Sequence, residues 1–149
     1  MNASATSTPR TQERTEELAP RLRLAVVRLA RRLRQEAGTD LGPSQTAALA
    51  TIERHGPLAP SELAERERIK RPTATRILGH LEKAGLVTRV RDPEDGRASI
   101  LSVSAEGRAL LRRLRERKTA YLAQRLERLD PEDRRALERA AEVLEGMLE

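Results

Sequence analysis

A mainly α fold with one small β-hairpin is predicted by three features of this 149-residue chain. Apolar residues recur at helical spacing over most of its length, and prolines and glycines punctuate the runs where helices start and stop. The period changes to strand-like alternation only once, around a turn reading Asp92-Pro93-Glu94-Asp95-Gly96-Arg97. Aromatic content is 1%, with Tyr121 alone and no Phe or Trp, so the core is built from Leu, Ala, Val and Ile, which pack well between helices.

Residues 1–15 are polar and small, and are expected to form a disordered tail ahead of a single domain over residues 16–149. They contain no apolar run of signal-peptide type, and no 18 consecutive apolar residues occur anywhere, so a cytoplasmic protein without a membrane span is expected. From Glu16, the residues Leu18, Leu22, Ala25, Val26, Leu29 and Leu33 follow the i, i+4, i+7 rule of an amphipathic helix that Gly38 ends. Leu24 and Val27 add a second apolar face. One thin core cannot cover both, so part of this helix is predicted to lie against another subunit.

Pro43 opens a second helix carrying Leu49 and Ile52, and Gly56-Pro57 stops it. Pro60 opens a short third helix with Leu63 and Ala64 inward, which breaks near Ile69. The fourth, over residues 72–84, turns Ile77, Leu78 and Leu81 inward and ends at Gly85. Residues 86–91 and 98–103 are the two strands of the hairpin. Ser104 is a good cap for a fifth helix carrying Leu110, Leu111, Leu114, Tyr121, Leu122 and Leu126, although Gly107 lowers the helix propensity of its first turn. Asp130-Pro131-Glu132-Asp133 starts a sixth, with Leu137, Ala141, Leu144 and Leu148. Two short helices joined by a few residues outline a helix-turn-helix, and a hairpin directly after the second is a wing.

The formal net charge is +6, which suits a polyanionic partner, but 26 of the 29 basic residues are Arg, a skew that codon usage alone can produce. Distribution is more informative than the total. Residues 68–97 hold eight Lys or Arg against four acids, so this segment carries net +4. An α-helix fits the DNA major groove, and small hydroxyl side chains near its start allow close approach while Arg reaches base edges or phosphates. Thr73, Thr75 and Arg76 meet that need, and the helix start offers N–H groups to a phosphate. The plain alternative makes Thr73 a capping residue and Arg76 a solvated one. Lys70 and Arg71 suit phosphate rather than bases. Arg89 and Arg91, on the strand leading to the wing tip, suit phosphate contact and solvated charge equally.

Several spaced elements within residues 58–107 carry a resemblance: Ser61-Glu62-Leu63-Ala64, Arg71-Pro72-Thr73-Ala74-Thr75-Arg76, Leu81-Glu82-Lys83-Ala84-Gly85-Leu86-Val87-Thr88-Arg89, Asp95-Gly96-Arg97 and Val103-Ser104-Ala105-Glu106-Gly107. Together they resemble the MarR family of winged helix-turn-helix transcriptional regulators, with flanking helices that agree in number and order. The resemblance implies a DNA-binding unit over residues 41–104, with Ser61, Lys70, Arg71, Pro72, Thr73, Thr75, Arg76, Arg89, Asp95 and Arg97 at the DNA. It implies that Arg97 enters the minor groove and that Asp95 fixes its conformation through a charge-assisted hydrogen bond. It also implies that helices over residues 16–37 and 105–149 form a homodimer interface, which agrees with their surplus of leucine.

A two-fold dimer sets two recognition helices about 34 Å apart, one turn of double-stranded DNA, so a pseudo-palindromic operator follows. Many members of the family are repressors released when a small, often phenolic, anion binds between the dimerisation and DNA-binding parts. Here Tyr121 is the one aromatic side chain able to stack on such an effector, and its two readings are core, the favoured one, and ligand contact.

Other classes fit poorly. The chain has no Cys, only His55 and His80 as histidines, and no phosphate-loop or dinucleotide fingerprint, so neither an enzyme, nor a metal site, nor a cofactor is expected. The remaining alternatives are a non-specific nucleoid-type DNA binder and a helical interaction module whose basic charge is codon bias.

Overall fold

The computed structural model describes residues 9–149. Six helices and one hairpin follow in the order α1 (Pro9–Ala37), α2 (Pro43–His55), α3 (Pro60–Glu67), α4 (Arg71–Lys83), β1 (Val87–Arg91), β2 (Ser99–Val103), α5 (Ala105–Glu127) and α6 (Pro131–Gly146). None of the described helices is long and apolar enough to cross a membrane.

Helix α1 begins at Pro9, so residues 9–15, expected in the tail, form its first turns; the rest of that tail lies outside the described residues. Local bonds support this start, with the Thr15 hydroxyl donating to the Thr11 carbonyl at 2.8 Å and the Gln12 amide reaching Glu16 at 3.4 Å. Pro20 lies inside the helix and supplies no N–H to the ladder there. Gly38, at φ +59°, then turns the chain toward α2.

Helix α2 starts at Gly42, whose N–H donates to the Gln45 side chain at 3.2 Å, and ends at Gly56 with φ +77°. Helix α3 opens likewise, the Ala59 N–H donating to Glu62 at 2.8 Å. It ends on Arg68, a non-glycine residue at φ +53°, whose left-handed turn lets the Ile69 N–H reach the Ala64 carbonyl at 2.9 Å. That conformation costs about 1 kcal/mol for a residue with a Cβ. The turn between α3 and α4 is short because of it.

Strands β1 and β2 pair antiparallel, Val87 opposite Val103 and Arg91 opposite Ser99. A third partner joins them that no strand-like run announces. Leu58, between α2 and α3, exchanges both backbone hydrogen bonds with Leu101, at 2.9 and 2.8 Å, and so adds a one-residue edge to the wing. Leu58 and Leu101 are both buried and join Leu49, Ile52, Leu63, Leu78 and Leu81 in the core beneath the helix-turn-helix.

Ser104 and Asp130 cap α5 and α6 as expected, accepting from the N–H groups of Gly107 at 3.0 Å and Asp133 at 2.8 Å. Helix α5 contributes Leu111 and Leu114 to the interior and runs along α1. Arg117 of α5 donates to the carbonyls of Ala37 and Gly38 at 2.8 and 3.1 Å, which satisfies carbonyls at the C-terminal end of α1. Beyond Leu114 no residue of α5 is fully buried.

Tyr121 is accordingly not a core residue. It is half-buried, takes an N–H from Arg32 of α1 at 3.3 Å, and lies under the Arg125 guanidinium, 4.7 Å from the ring centre. The hydrogen bond from Arg32, aided by Arg125, holds the phenol below its ordinary pKa. The apolar run that pointed inward was misleading because at this position α5 lies outside the core of the winged domain and Tyr121 meets Arg32 of α1.

The terminal helices stand apart from the core. Helix α6 buries none of its residues, and Leu148 and Val143 are 87% and 62% exposed. On α1, Leu18, Leu22, Leu24, Val26, Val27 and Leu29 are all exposed, so both apolar faces expected of this helix remain uncovered by their own chain.

Candidate nucleic-acid interface

The interface is built on α4. Ala74, Ile77, Leu78 and Leu81 bury one side of this helix against the core, which leaves Thr75, Arg76, His80 and Lys83 exposed. Lys70 precedes the helix in extended conformation, and no side chain caps the start, in contrast to α5 and α6. Pro72 has no N–H to satisfy. An uncapped start flanked by Lys70 and Arg71, both exposed, favours an anion through the helix dipole and the two cations together.

The expected site residues fall into three groups. Lys70, Arg71, Pro72, Thr75 and Arg76 share the exposed start of α4, and Ser61 is exposed in the first turn of α3. Thr73 differs from Thr75: it is half-buried and lines the groove between α4 and the start of α2. Arg89 is neither free nor merely solvated, because its Nε donates to Glu82 of α4 at 3.0 Å and so ties the wing to the helix. This exposed pair is worth at most about 1 kcal/mol. Arg91 is exposed at the end of β1.

At the wing tip, the Asp95 carboxylate accepts the backbone N–H of Arg97 at 3.1 Å, and Asp92 accepts that of Glu94 at 2.9 Å. These are two successive Asx turns. A further pair of backbone bonds, Asp92 to the Ala98 carbonyl and Ala98 to the Asp95 carbonyl, both 3.0 Å, closes the loop. The charge-assisted bond from Asp95 therefore fixes the backbone of Arg97. Among the described residues no ion pair joins Asp95 to the Arg97 guanidinium, which is exposed and extends from a held main chain.

Two features escaped the reading of the sequence. His80 and Lys83 continue the exposed face of α4, and their spacing of four and seven residues from Arg76 was the available signal. The second is a cleft of about 400 Å³ where the end of α1, the start of α2 and α5 meet. Arg31, Arg34 and Lys118 line it, with Leu41, Thr46 and Leu114. No linear motif marks it, since its walls come from three distant segments.

A helix-turn-helix with an uncapped, cation-flanked second helix and an arginine-tipped hairpin defines a winged helix DNA-binding protein. Comparison with known proteins narrows that class. The family model described as MarR family matches residues 41–99. A Mycobacterium bovis relative, the uncharacterized HTH-type transcriptional regulator Mb0904, is 37% identical over 133 residues, which cover 89% of this chain and 93% of the relative. Among solved structures, a Pseudomonas aeruginosa protein superposes with a TM-score of 0.81 at 34% identity, over 91% of this chain and 96% of the other. A MarR family protein from Bacillus stearothermophilus gives 0.77 at 25% identity, over 92% and 96%. The chain belongs to the MarR family of transcriptional regulators.

Proposed function

We propose that the chain is a cytoplasmic repressor that binds a pseudo-palindromic operator as a homodimer and is released by a small-molecule effector. The observation that carries the DNA reading is the exposed face of α4, where Thr75, Arg76, His80 and Lys83 make no side-chain hydrogen bond or ion pair among the described residues. In this reading Thr75 and Arg76 reach base edges, Ser61, Lys70, Arg71 and the open start of α4 at Pro72 and Thr73 meet phosphates, and Arg89 exchanges Glu82 for the backbone. Selection of bound fragments from random DNA by the purified protein identifies the operator. On that operator, Arg76→Ala is expected to weaken binding by about 1–3 kcal/mol, with a smaller loss on random DNA. Equal losses on both would make Arg76 a phosphate contact, and the absence of any preferred fragment would favour a non-specific binder.

The wing reading assigns Arg97 to the minor groove, where a narrow A·T tract concentrates negative potential. Arg97→Ala is expected to weaken operator binding and to lower the log–log salt slope by roughly one unit per contact, about two per dimer. Thermal stability should hardly change, because the guanidinium has no partner in the fold. Arg97→Lys should recover part of the affinity, since a lysine ammonium is more tightly hydrated and harder to strip of water in a narrow groove. Wild-type affinity and slope in Arg97→Ala would remove the wing from the interface.

The uncovered apolar residues of α1 and α6 support the homodimer, with these helices and α5 as the dimerisation part. The cleft beside Arg31, Arg34 and Lys118 supports an anionic effector, because three cations converge there and no acid lines the wall. Its position between α1, α2 and α5 couples the dimerisation part to the DNA-binding part.

A further inference from the structure

The reading of α4 as the major-groove helix leaves His80 without a role, and from its surroundings we infer that His80 is a further DNA contact, made to phosphate as the imidazolium. DNA binding then favours the protonated side chain. This rests on the reading of α4 given above.

His80 is exposed, four residues after Arg76 and three before Lys83, on the side of the helix away from the core. It also lines a groove of about 200 Å³ between α4 and the first turn of α2. The residues that α2 and its lead-in present to this groove are Gly42, Pro43, Ser44 and Gln45, none of them titratable, and α4 adds Thr73, Arg76 and Ile77. The charged neighbours along the helix are Arg76 and Lys83, while the adjacent carboxylate, Glu82, is engaged by Arg89 of the wing. Among the described residues no acid lines the groove.

An imidazolium here completes a row of three cations that the protein itself leaves without a counter-ion. A phosphodiester backbone supplies that counter-charge, so binding favours the protonated form. The sign follows. Operator binding is therefore tighter at acidic pH and weakens toward alkaline pH, where an imidazole is uncharged. A neutral imidazole still donates one N–H, so the contact weakens at high pH without vanishing, charged hydrogen bonds being about twice as strong as neutral ones.

The chain has two histidines, and the other, His55, ends α2. The test is operator affinity of the full-length protein between about pH 6 and about pH 8 at constant ionic strength, the range in which histidine titrates. Wild type and His55→Gln are expected to bind about tenfold more tightly at the acidic end, two exposed charge pairs per dimer amounting to roughly one power of ten. His80→Gln should lose this dependence, and His80→Arg should hold the acid-end affinity throughout. At the acidic end the salt slope of the wild type should exceed that of His80→Gln by about two units per dimer. Retention of the wild-type pH dependence by His80→Gln would overturn the inference. Arg76→Ala on the same operator separates the causes: if it weakens binding while His80→Gln behaves as wild type, only the role of His80 fails. If neither variant changes affinity, the placement of α4 in the groove fails with it.

Discussion

Replacing Gly107 by Ala is expected to destabilise the protein by about 3 kcal/mol or more, although alanine is the better helix former by about 1 kcal/mol. Gly107 is buried in the first turn of α5, where the chain leaves β2 and passes directly over Leu86. A Cβ at this position would run into the Leu86 carbonyl oxygen and come within 2.8 Å of Val103 Cγ2. The carbonyl cannot easily yield, because it already accepts the Ser104 N–H at 2.9 Å. The Ser104 hydroxyl holds the same junction from the other side, donating to the Gly85 carbonyl at 2.6 Å while accepting the Gly107 N–H. Overpacking here therefore strains backbone rather than a side-chain end. Chemical denaturation of the two proteins decides the matter: an alanine variant with an equal or higher midpoint would show that α5 can shift away from the wing at no cost.

Removal of α6 is expected to abolish dimerisation and with it most of the operator affinity. This helix has no fully buried residue in its own chain, so a solitary subunit should lose little stability without it. If the helix instead packs against a second copy, deleting the residues after Leu129 strips Leu137, Leu144 and Leu148 from the contact and yields a monomer or an aggregate by sedimentation. Loss of the linkage between two half-site contacts then lowers affinity by about 10²- to 10⁴-fold, the usual gain from joining two binding modules. A truncated protein that stays a soluble dimer would assign the interface to α1 and α5 alone.

Much of the architecture was legible because its boundaries are chemical. Pro43, Pro60, Ser104 and Asp130 each stand at the start of a helix, and Gly38 and Gly56 each end one with positive φ. The break between α3 and α4 was visible only through Pro72, since Arg68 makes the left-handed turn without the glycine that would advertise it. Gly107 looked like a weak point of a helix. It is a packing requirement instead, and such close approach depends on a segment 21 residues away that no local pattern reports.

The candidate site was readable in part for the same reason. Residues on one helix, such as Thr75 and Arg76, declare their common face by spacing, whereas the Arg89–Glu82 pair and the cleft of Arg31, Arg34 and Lys118 are tertiary. Tyr121 marks the limit of periodicity. Its neighbours are apolar along the helix, but the surface that meets it belongs to α1 and is basic.

The doubled backbone bond between Leu58 and Leu101 has a mechanical consequence. It joins the base of the wing to the segment that separates α2 from α3, and Arg89 braces the same hairpin against α4. A hairpin held at its root by two buried amides and at its flank by an ion pair has no soft joint about which to flap. Hairpin and recognition helix are thereby tied to each other, while Gly38, held by Arg117, marks the junction with α1 and α5. A shift at that junction would therefore carry the hairpin and α4 together rather than change the shape of either.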